Sequence, residues 1–314
     1  MGGRLEAVGS WFRQGRRDWL ALGLVLAAGF AFHLATLLRY PPPFVDEAWL
    51  ASRALALIRT GRAFSSLDAG VVERFPGYWT AFPYLLPRLQ AVAIRLLGMS
   101  LASMRLISLL FGLLLLASLY RIGARLFGRK VGLLAAALGA LSPAFLQSAH
   151  LVRYDILVAG LGYLAIALYL GDRSRRLSPH CVLSGLLIGL AFEIHPNAAL
   201  FGPAVVALFL ANAGWAALRS ARFWGLIAGA AAGLAFFLAV HILPYPQTYF
   251  GASALTFGGT HTPPILAGPQ VWPSSLQETL MLFIWGSGPQ APLAVAAAIP
   301  LRRRTGGRRF LLLC

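Results

Sequence analysis

The stretch WLALGLVLAAGFAFHLATLLRYPPPFVDE, residues 19–47, decides how the chain is read. From Trp19 to Leu38 it holds no charged residue. It is as long as the ~20 residues that carry a helix across a bilayer. Arg4, Arg13, Arg16 and Arg17 precede it. The run is longer than a signal-peptide core and has no small-x-small cleavage site before the next polar stretch, so it reads as a retained first span. Three prolines then stop the helix. Asp46 and Glu47 follow at the membrane edge, at the start of another helical pattern.

The rest of the chain repeats this alternation. Hydrophobic residues make up 58% and charged residues only 12% of 314, with a mean hydropathy of +0.71. Soluble domains carry about a quarter charged residues. The net charge of +17 does not indicate nucleic acid. Its arginines sit in short clusters between apolar blocks, and no aromatic-basic platform lies on a polar domain. Cys181 and Cys314 are too few and too far apart for a disulfide framework or a zinc site.

The predicted fold is all-α, a polytopic bundle of about eight spans. Span one is Trp19–Leu38, span two about Ala102–Ile122, span three about Val131–Ala149 and span four Ile156–Leu170. Spans five and six occupy Cys181–Ala213, split by Glu193-Ile194-His195-Pro196-Asn197. They are short and read as tilted or broken. Span seven is about Phe223–Leu243, and span eight about Leu276–Leu301. Residues 1–314 read as one transmembrane domain, with 39–102 as a long first outer loop. The ending, an arginine cluster and then Phe310 to Cys314, reads as the start of an uncompleted span, so the chain reads as truncated. With the N-terminus inside, 18 of the 27 basic residues fall on the inner side, as the positive-inside rule asks.

The outer loop carries two amphipathic patterns. Leu50, Ala54, Leu57 and Ile58 recur at helical spacing, as do Leu85, Leu89, Val92 and Leu96. Pro83, Pro87 and the flanking arginines argue against spanning, so both read as helices lying in the outer interface. In span seven, Gly225, Gly229 and Gly233 form a stripe for close helix packing.

Only ten acidic residues exist. Span parity puts Asp46, Glu47, Glu73 and Asp155 on the outer face, beside Arg53, Arg74 and Arg153. Each has a structural reading. Asp46 caps the helix it opens, Glu47 favours the helix dipole, Glu73 pairs with Arg74, and Asp155 pairs with Arg153. Their convergence on one face is the functional signal, because packing does not need carboxylates there and burial penalises them. His195, in the break between spans five and six, faces the same way. It reads either as a hydrogen-bonded structural residue or as a contact for a substrate phosphate. His33, inside span one, reads as a packing or hydrogen-bonding residue.

The run Pro41-Pro42-Pro43-Phe44-Val45-Asp46-Glu47-Ala48 after the first span resembles the first outer loop of GT-C glycosyltransferases. This superfamily includes lipid A aminoarabinose transferase and protein O-mannosyltransferases. Glu73-Arg74-Phe75-Pro76-Gly77-Tyr78-Trp79 is similar to the family's acidic-basic-x-Pro-x-Tyr-Trp stretch, and Arg153-Tyr154-Asp155 to its Arg-x-Asp before span four. The resemblance covers about Trp19 to Asp172 well. It implies a GT-C-like fold and an inverting transfer of sugar from a polyprenyl-phosphate donor to a lipid, glycan or protein hydroxyl. The site would face outward in a bacterial plasma membrane, among membrane lipids. By the same resemblance Asp46 is the general base and Arg74, where the family often has Lys, meets the departing phosphate. Glu47, Arg53, Glu73, Arg153, Asp155 and His195 line the substrate. Asp46, Glu73 and Asp155 are the residues to hold a divalent cation, Mg²⁺ or Mn²⁺; metal use varies in the family.

There is no Walker A sequence, no G-x-G-x-x-G, no H-E-x-x-H and no G-x-S-x-G. No Asp-x-Asp of the nucleotide-sugar kind is present, so a lipid-linked donor fits better. A transporter or flippase of a lipid-linked substrate is the competing reading. It predicts ionisable residues near the bilayer midplane rather than at one mouth. A truncated, inactive homologue is the third.

Overall fold

The structure, a computed structural model, describes residues 2–68, 75–171 and 177–251. Helix α1 (Gly2–Thr36) is followed by α2 (Val45–Thr60) and by 3-10 turns at Ser66–Asp68 and Tyr78–Ala81. Then come α3 (Leu85–Leu97), α4 (Leu101–Phe127), α5 (Arg129–Ala140), α6 (Pro143–His150), α7 (Tyr154–Gly171) and α8 (Pro179–Ile194). A 3-10 turn, Pro196–Leu200, leads to α9 (Phe201–Ala213), and a second, Gly214–Arg219, to α10 (Ala221–Phe237). That last helix ends in a π-helical turn, Leu238–Ile242. Among the described residues there is no strand.

Four helices are long and apolar enough to cross a membrane: Trp19–Thr36, Leu101–Phe127, Tyr154–Gly171 and Ala221–Ile242. The expected third span is a bent pair, α5 and α6, meeting at 62°. The bend has a local cause. Pro143 cannot continue α5, and the Ser142 hydroxyl accepts the Phe145 N–H at 3.1 Å to start α6 afresh. The expected spans five and six are α8, of 16 residues, and α9, of 13. A 16-residue helix rises about 24 Å, short of the ~30 Å hydrocarbon core. Among the described residues the length test is therefore met by four spans, or five with the bent pair, rather than about eight. The expected span eight lies outside them.

Two larger apolar clusters join the helices from α2 to α10, beside a small one of Leu22, Tyr120 and Ala136. Leu50 and Ala54 of α2, Leu86 of α3, Leu109 of α4, Phe145 of α6 and Ile156 of α7 share one. Ala165, Cys181, Val205, Phe209 and Leu226 tie α7 to α10 in the other. The glycine stripe behaves as its spacing predicts. A Cβ on Gly229 would collide with the Val182 carbonyl of α8, and one on Gly233 would stand 2.6 Å from the Gly189 Cα. With no side chain between them, α8 and α10 pack backbone to backbone.

Helices form over both amphipathic stretches, and the second is turned differently from the expected stripe. Leu86, Gln90, Ala93 and Ile94 of α3 are buried against the bundle, whereas Val92 and Leu96 are 55% and 77% exposed. The stripe through Val92 and Leu96 is the outward face.

What fixes one end of the bundle is a buried ion pair. Arg105 of α4 is fully buried. Its Nε and Nη2 donate to the two oxygens of Glu47 at 2.8 and 2.7 Å. Nη1 donates to the carbonyls of Leu37, 2.7 Å, and Pro41, 3.1 Å. Glu47 also accepts the N–H of Phe44, 2.9 Å, and of Val152, 3.1 Å. The end of α1, the start of α2, α4 and the α6–α7 junction thus meet at one carboxylate and one guanidinium. Beside them His33 bridges the Ala140 carbonyl and His150, 2.9 Å each, and His150 reaches the Tyr40 carbonyl at 2.7 Å. His33 is the hydrogen-bonding residue expected.

Two substitutions test this arrangement. Arg105→Met leaves Glu47 buried without its counterion, and breaking such a pair costs about 3–5 kcal/mol. The double variant Glu47→Gln/Arg105→Met should recover part of the lost melting temperature in detergent. A Gly229→Leu chain should lose folded yield, because no rotamer clears the α8 backbone.

Candidate active site

The loops that follow α1, precede α7 and follow α8 come together at the end of the bundle closed by Arg105 and Glu47. Asp46 and Glu47, adjacent in sequence, have separate surroundings there. Phe44 occupies the N-cap position of α2, and the side chain that closes the first turn is that of Glu47, on the Phe44 N–H. Asp46 is therefore not the cap. Its carboxylate is 37% exposed and meets Arg153, Nη1 to Oδ2, at 3.6 Å. Glu47 is 4% exposed and its oxygens are taken up by Arg105, Phe44 and Val152. Its partners are all within the protein, and it is closed off from solvent.

Arg153 is shared. Its Nε donates to Asp155 Oδ2 at 2.9 Å while Nη1 faces Asp46. All three side chains are between 37% and 50% exposed. Ion pairs this open contribute about 0–1 kcal/mol to stability. Their importance is positional, since one guanidinium sets the spacing and orientation of two carboxylates that remain accessible. Arg53 of α2 joins the group through Tyr154, donating from Nη1 to the phenol oxygen at 3.2 Å, and lies over the Phe82 ring at 3.8 Å. The His195 ring sits 5.8 Å from that of Tyr154. Asp46, Arg53, Arg153, Asp155 and His195 are thus brought together. Glu73 and Arg74 lie outside the described residues.

His195 takes the structural reading. Its Nδ1 accepts the Asn197 N–H at 3.2 Å, capping the turn Pro196–Leu200. Burial pushes its pKa below the ordinary histidine value; Asp155 opposes that and Arg153 adds to it. Neutral imidazole is the form that can accept from Asn197.

For a divalent cation the described residues offer no group of three ligating side chains. Asp46 and Asp155 already share the positive charge of Arg153, and Glu73 is not among the described residues. The third residue expected to hold a cation is therefore outside the described residues, and no step is assigned to a cation.

The sequence reading passed over Arg105, Tyr154, Glu193 and His241. Glu193, buried at the end of α8, accepts the N–H groups of Tyr84 and, at 3.2 Å, Leu85, closing the start of α3 with a negative charge where the helix dipole favours one. His241 bridges Glu193, 3.0 Å, and the Thr80 carbonyl, 2.6 Å. A signal was present: a carboxylate ending an apolar helix needs partners. Tyr154 lay inside the quoted Arg153-Tyr154-Asp155 and was not weighed.

Because the folded protein holds His195 neutral, its contribution to stability is complete above the unfolded-state value of about 6.5 and is lost as pH falls through the folded value. The melting temperature in detergent should fall below that pH, and less steeply in His195→Asn. Equal falls in both proteins would remove His195 from the account.

No curated protein matches the chain. The family model of dolichyl-phosphate-mannose-protein mannosyltransferases matches residues 82–245, just over half of it. The matched region contains Arg105, Arg153, Asp155, Glu193 and His195, and begins after Asp46. Membrane-length helices, a polar cluster gathered at one end of them and the matched sequence agree: the chain belongs to the dolichyl-phosphate-mannose-protein mannosyltransferase family, and is a membrane glycosyltransferase of the GT-C type.

Proposed function

We propose that the chain moves a sugar from a polyprenyl-phosphate donor to a hydroxyl of a lipid, glycan or protein acceptor, with inversion, and that Asp46 is the general base. The observation that carries this is the environment of Asp46. It is an accessible carboxylate, not used as a helix cap, held by Arg153 at the end of the bundle where the loops gather. In the transfer the Asp46 carboxylate takes the acceptor O–H proton as that oxygen bonds to the anomeric carbon. The bond from that carbon to the phosphate oxygen breaks on the opposite face, and its electron pair stays with the phosphate. A partly exposed carboxylate with open lone pairs suits the first task, and positioned general bases contribute about 10²–10⁴-fold.

The departing phosphate needs positive charge. Arg74 is assigned to it by the family resemblance. Arg153, between two carboxylates, is better suited to holding Asp46 and Asp155 in place, and Arg53 to orienting the acceptor from beside Tyr154. The clusters Arg121, Arg125, Arg129, Lys130 and Arg219, Arg222 lie at the opposite ends of the spans, which supports a site on the outer face of a plasma membrane. The ionisable groups gather at helix ends, which favours the enzyme over a transporter.

Asp46→Asn, purified and reconstituted with a labelled polyprenyl-phosphate sugar, should lose at least about 100-fold in transfer rate with an unchanged melting temperature. Glu47→Gln should show the reverse emphasis, with loss of stability first. An Asp46→Asn enzyme that transfers sugar at the wild-type rate would falsify the assignment. Wild-type protein that moves labelled lipid across vesicles and transfers no sugar would establish the transporter instead.

A further inference from the structure

Asp46 is the second residue of α2, and the other end of that helix borders a different cavity. With 16 residues α2 is about 24 Å long, several sugar rings in extent. Beyond Gly61, which ends the helix at φ 74°, Arg62 forms one side of a cavity of about 350 Å³. Arg88 of α3 forms another side. Trp79, Tyr84 and Tyr245 supply ring faces, and Val240 closes it from the end of the α10 span.

The two arginines are held by rings. The Arg62 guanidinium lies 4.2 Å over Trp79 and that of Arg88 3.0 Å over Tyr84. Arg88 also donates from Nη1 to the Tyr84 carbonyl at 3.0 Å. Among the described residues neither has a carboxylate within ion-pair distance. Glu193 stands behind Arg88, engaged by Tyr84, Leu85 and His241. Ring contacts hold a guanidinium in place and leave its N–H groups available. Burial lowers the Arg88 pKa below the ordinary arginine value, the mark of a cation short of solvent. Arginine nevertheless stays charged. Two cations that form no ion pair with a carboxylate among the described residues, in a cavity lined by aromatic rings, suit a phosphate ester attached to something apolar.

The depth of the cavity indicates the source. It opens where the α10 span ends at Ile242 and beside α3, whose Val92 and Leu96 face outward. Aromatic side chains and basic pockets at that level are where lipid headgroups sit. We propose that the cavity between Arg62 and Arg88 binds the phosphate of a membrane-lipid headgroup, at a site separate from the Asp46 centre.

The test uses purified full-length chain in neutral detergent, with dioctanoyl phosphatidylglycerol as probe. Its controls are dioctanoylglycerol, which lacks the phosphate, and inorganic phosphate. The phosphatidylglycerol should raise the melting temperature, and Arg62→Gln/Arg88→Gln should need about tenfold more lipid for the same shift, as expected for lost charge-assisted hydrogen bonds. Arg62 is exposed, so Arg62→Gln alone keeps the fold, and it should weaken the response by a smaller factor. Arg88→Lys, which keeps the charge, should restore most of it. An equal shift from dioctanoylglycerol, or an unchanged response in the double variant, overturns the site. An equal shift from inorganic phosphate overturns the lipid source. Sugar transfer is not the readout, so the outcome is independent of Asp46.

Discussion

The buried pair Arg105–Glu47 is the constraint on which the rest depends. A guanidinium with no exposed surface is costly to desolvate, by several kcal/mol even after relaxation. It is tolerable here because four of its hydrogen bonds are made, two to a carboxylate that is itself fully engaged. The pair adds little net stability over an apolar equivalent, but it is unforgiving of separation. It therefore acts as a register mark. The end of α1, the start of α2, the start of α4 and the loop before α7 have one mutual arrangement in which all these bonds close. Asp46, one residue from Glu47, and Arg153, one residue from Val152, inherit their relative positions from it.

That inheritance explains how a site of weak, half-exposed ion pairs is ordered. The Asp46–Arg153–Asp155 contacts contribute too little to impose a geometry by themselves. They take it from backbone already pinned by Glu47, whose oxygens hold the N–H groups of both Phe44 and Val152. The accessible groups are left open, and the cost of ordering them falls on residues that are buried. Glu193 does the same for α3, joined to His241 on one side and to the backbone of Tyr84 and Leu85 on the other.

Much of this was legible in the sequence, and the parts that were not have physical reasons. Apolar runs located the long helices and amphipathic spacing located α2 and α3, while the bend that divides α5 from α6 was not foreseen. Convergence of Asp46, Arg153, Asp155 and His195 followed from span parity alone. The number of membrane-length helices did not: the break at Glu193 to Asn197 marked α8 and α9 as short, but not that each falls below spanning length. Which face of α3 turns inward was legible only in part: Leu85 and Leu89 of the expected stripe pack against the bundle, while Val92 and Leu96 turn away from it. The roles of Asp46 and Glu47 could be separated only by three-dimensional partners. Arg105 and Val152 lie 58 and 105 residues downstream of Glu47, and no local pattern points to them.

Those separations have a consequence for biosynthesis. Chains are made at about 5–20 residues per second, so Glu47 precedes Val152 by roughly 5–20 s. Over the first 58 residues of that interval its carboxylate has neither the guanidinium nor the second N–H that will bury it, and over the rest it still lacks the Val152 N–H. The α2 segment must wait in water or at the headgroup surface while the first three spans are inserted. The substrate side of the protein is thus assembled after its membrane side, closing around Glu47 only when the strand of chain before α7 has been delivered to the same face.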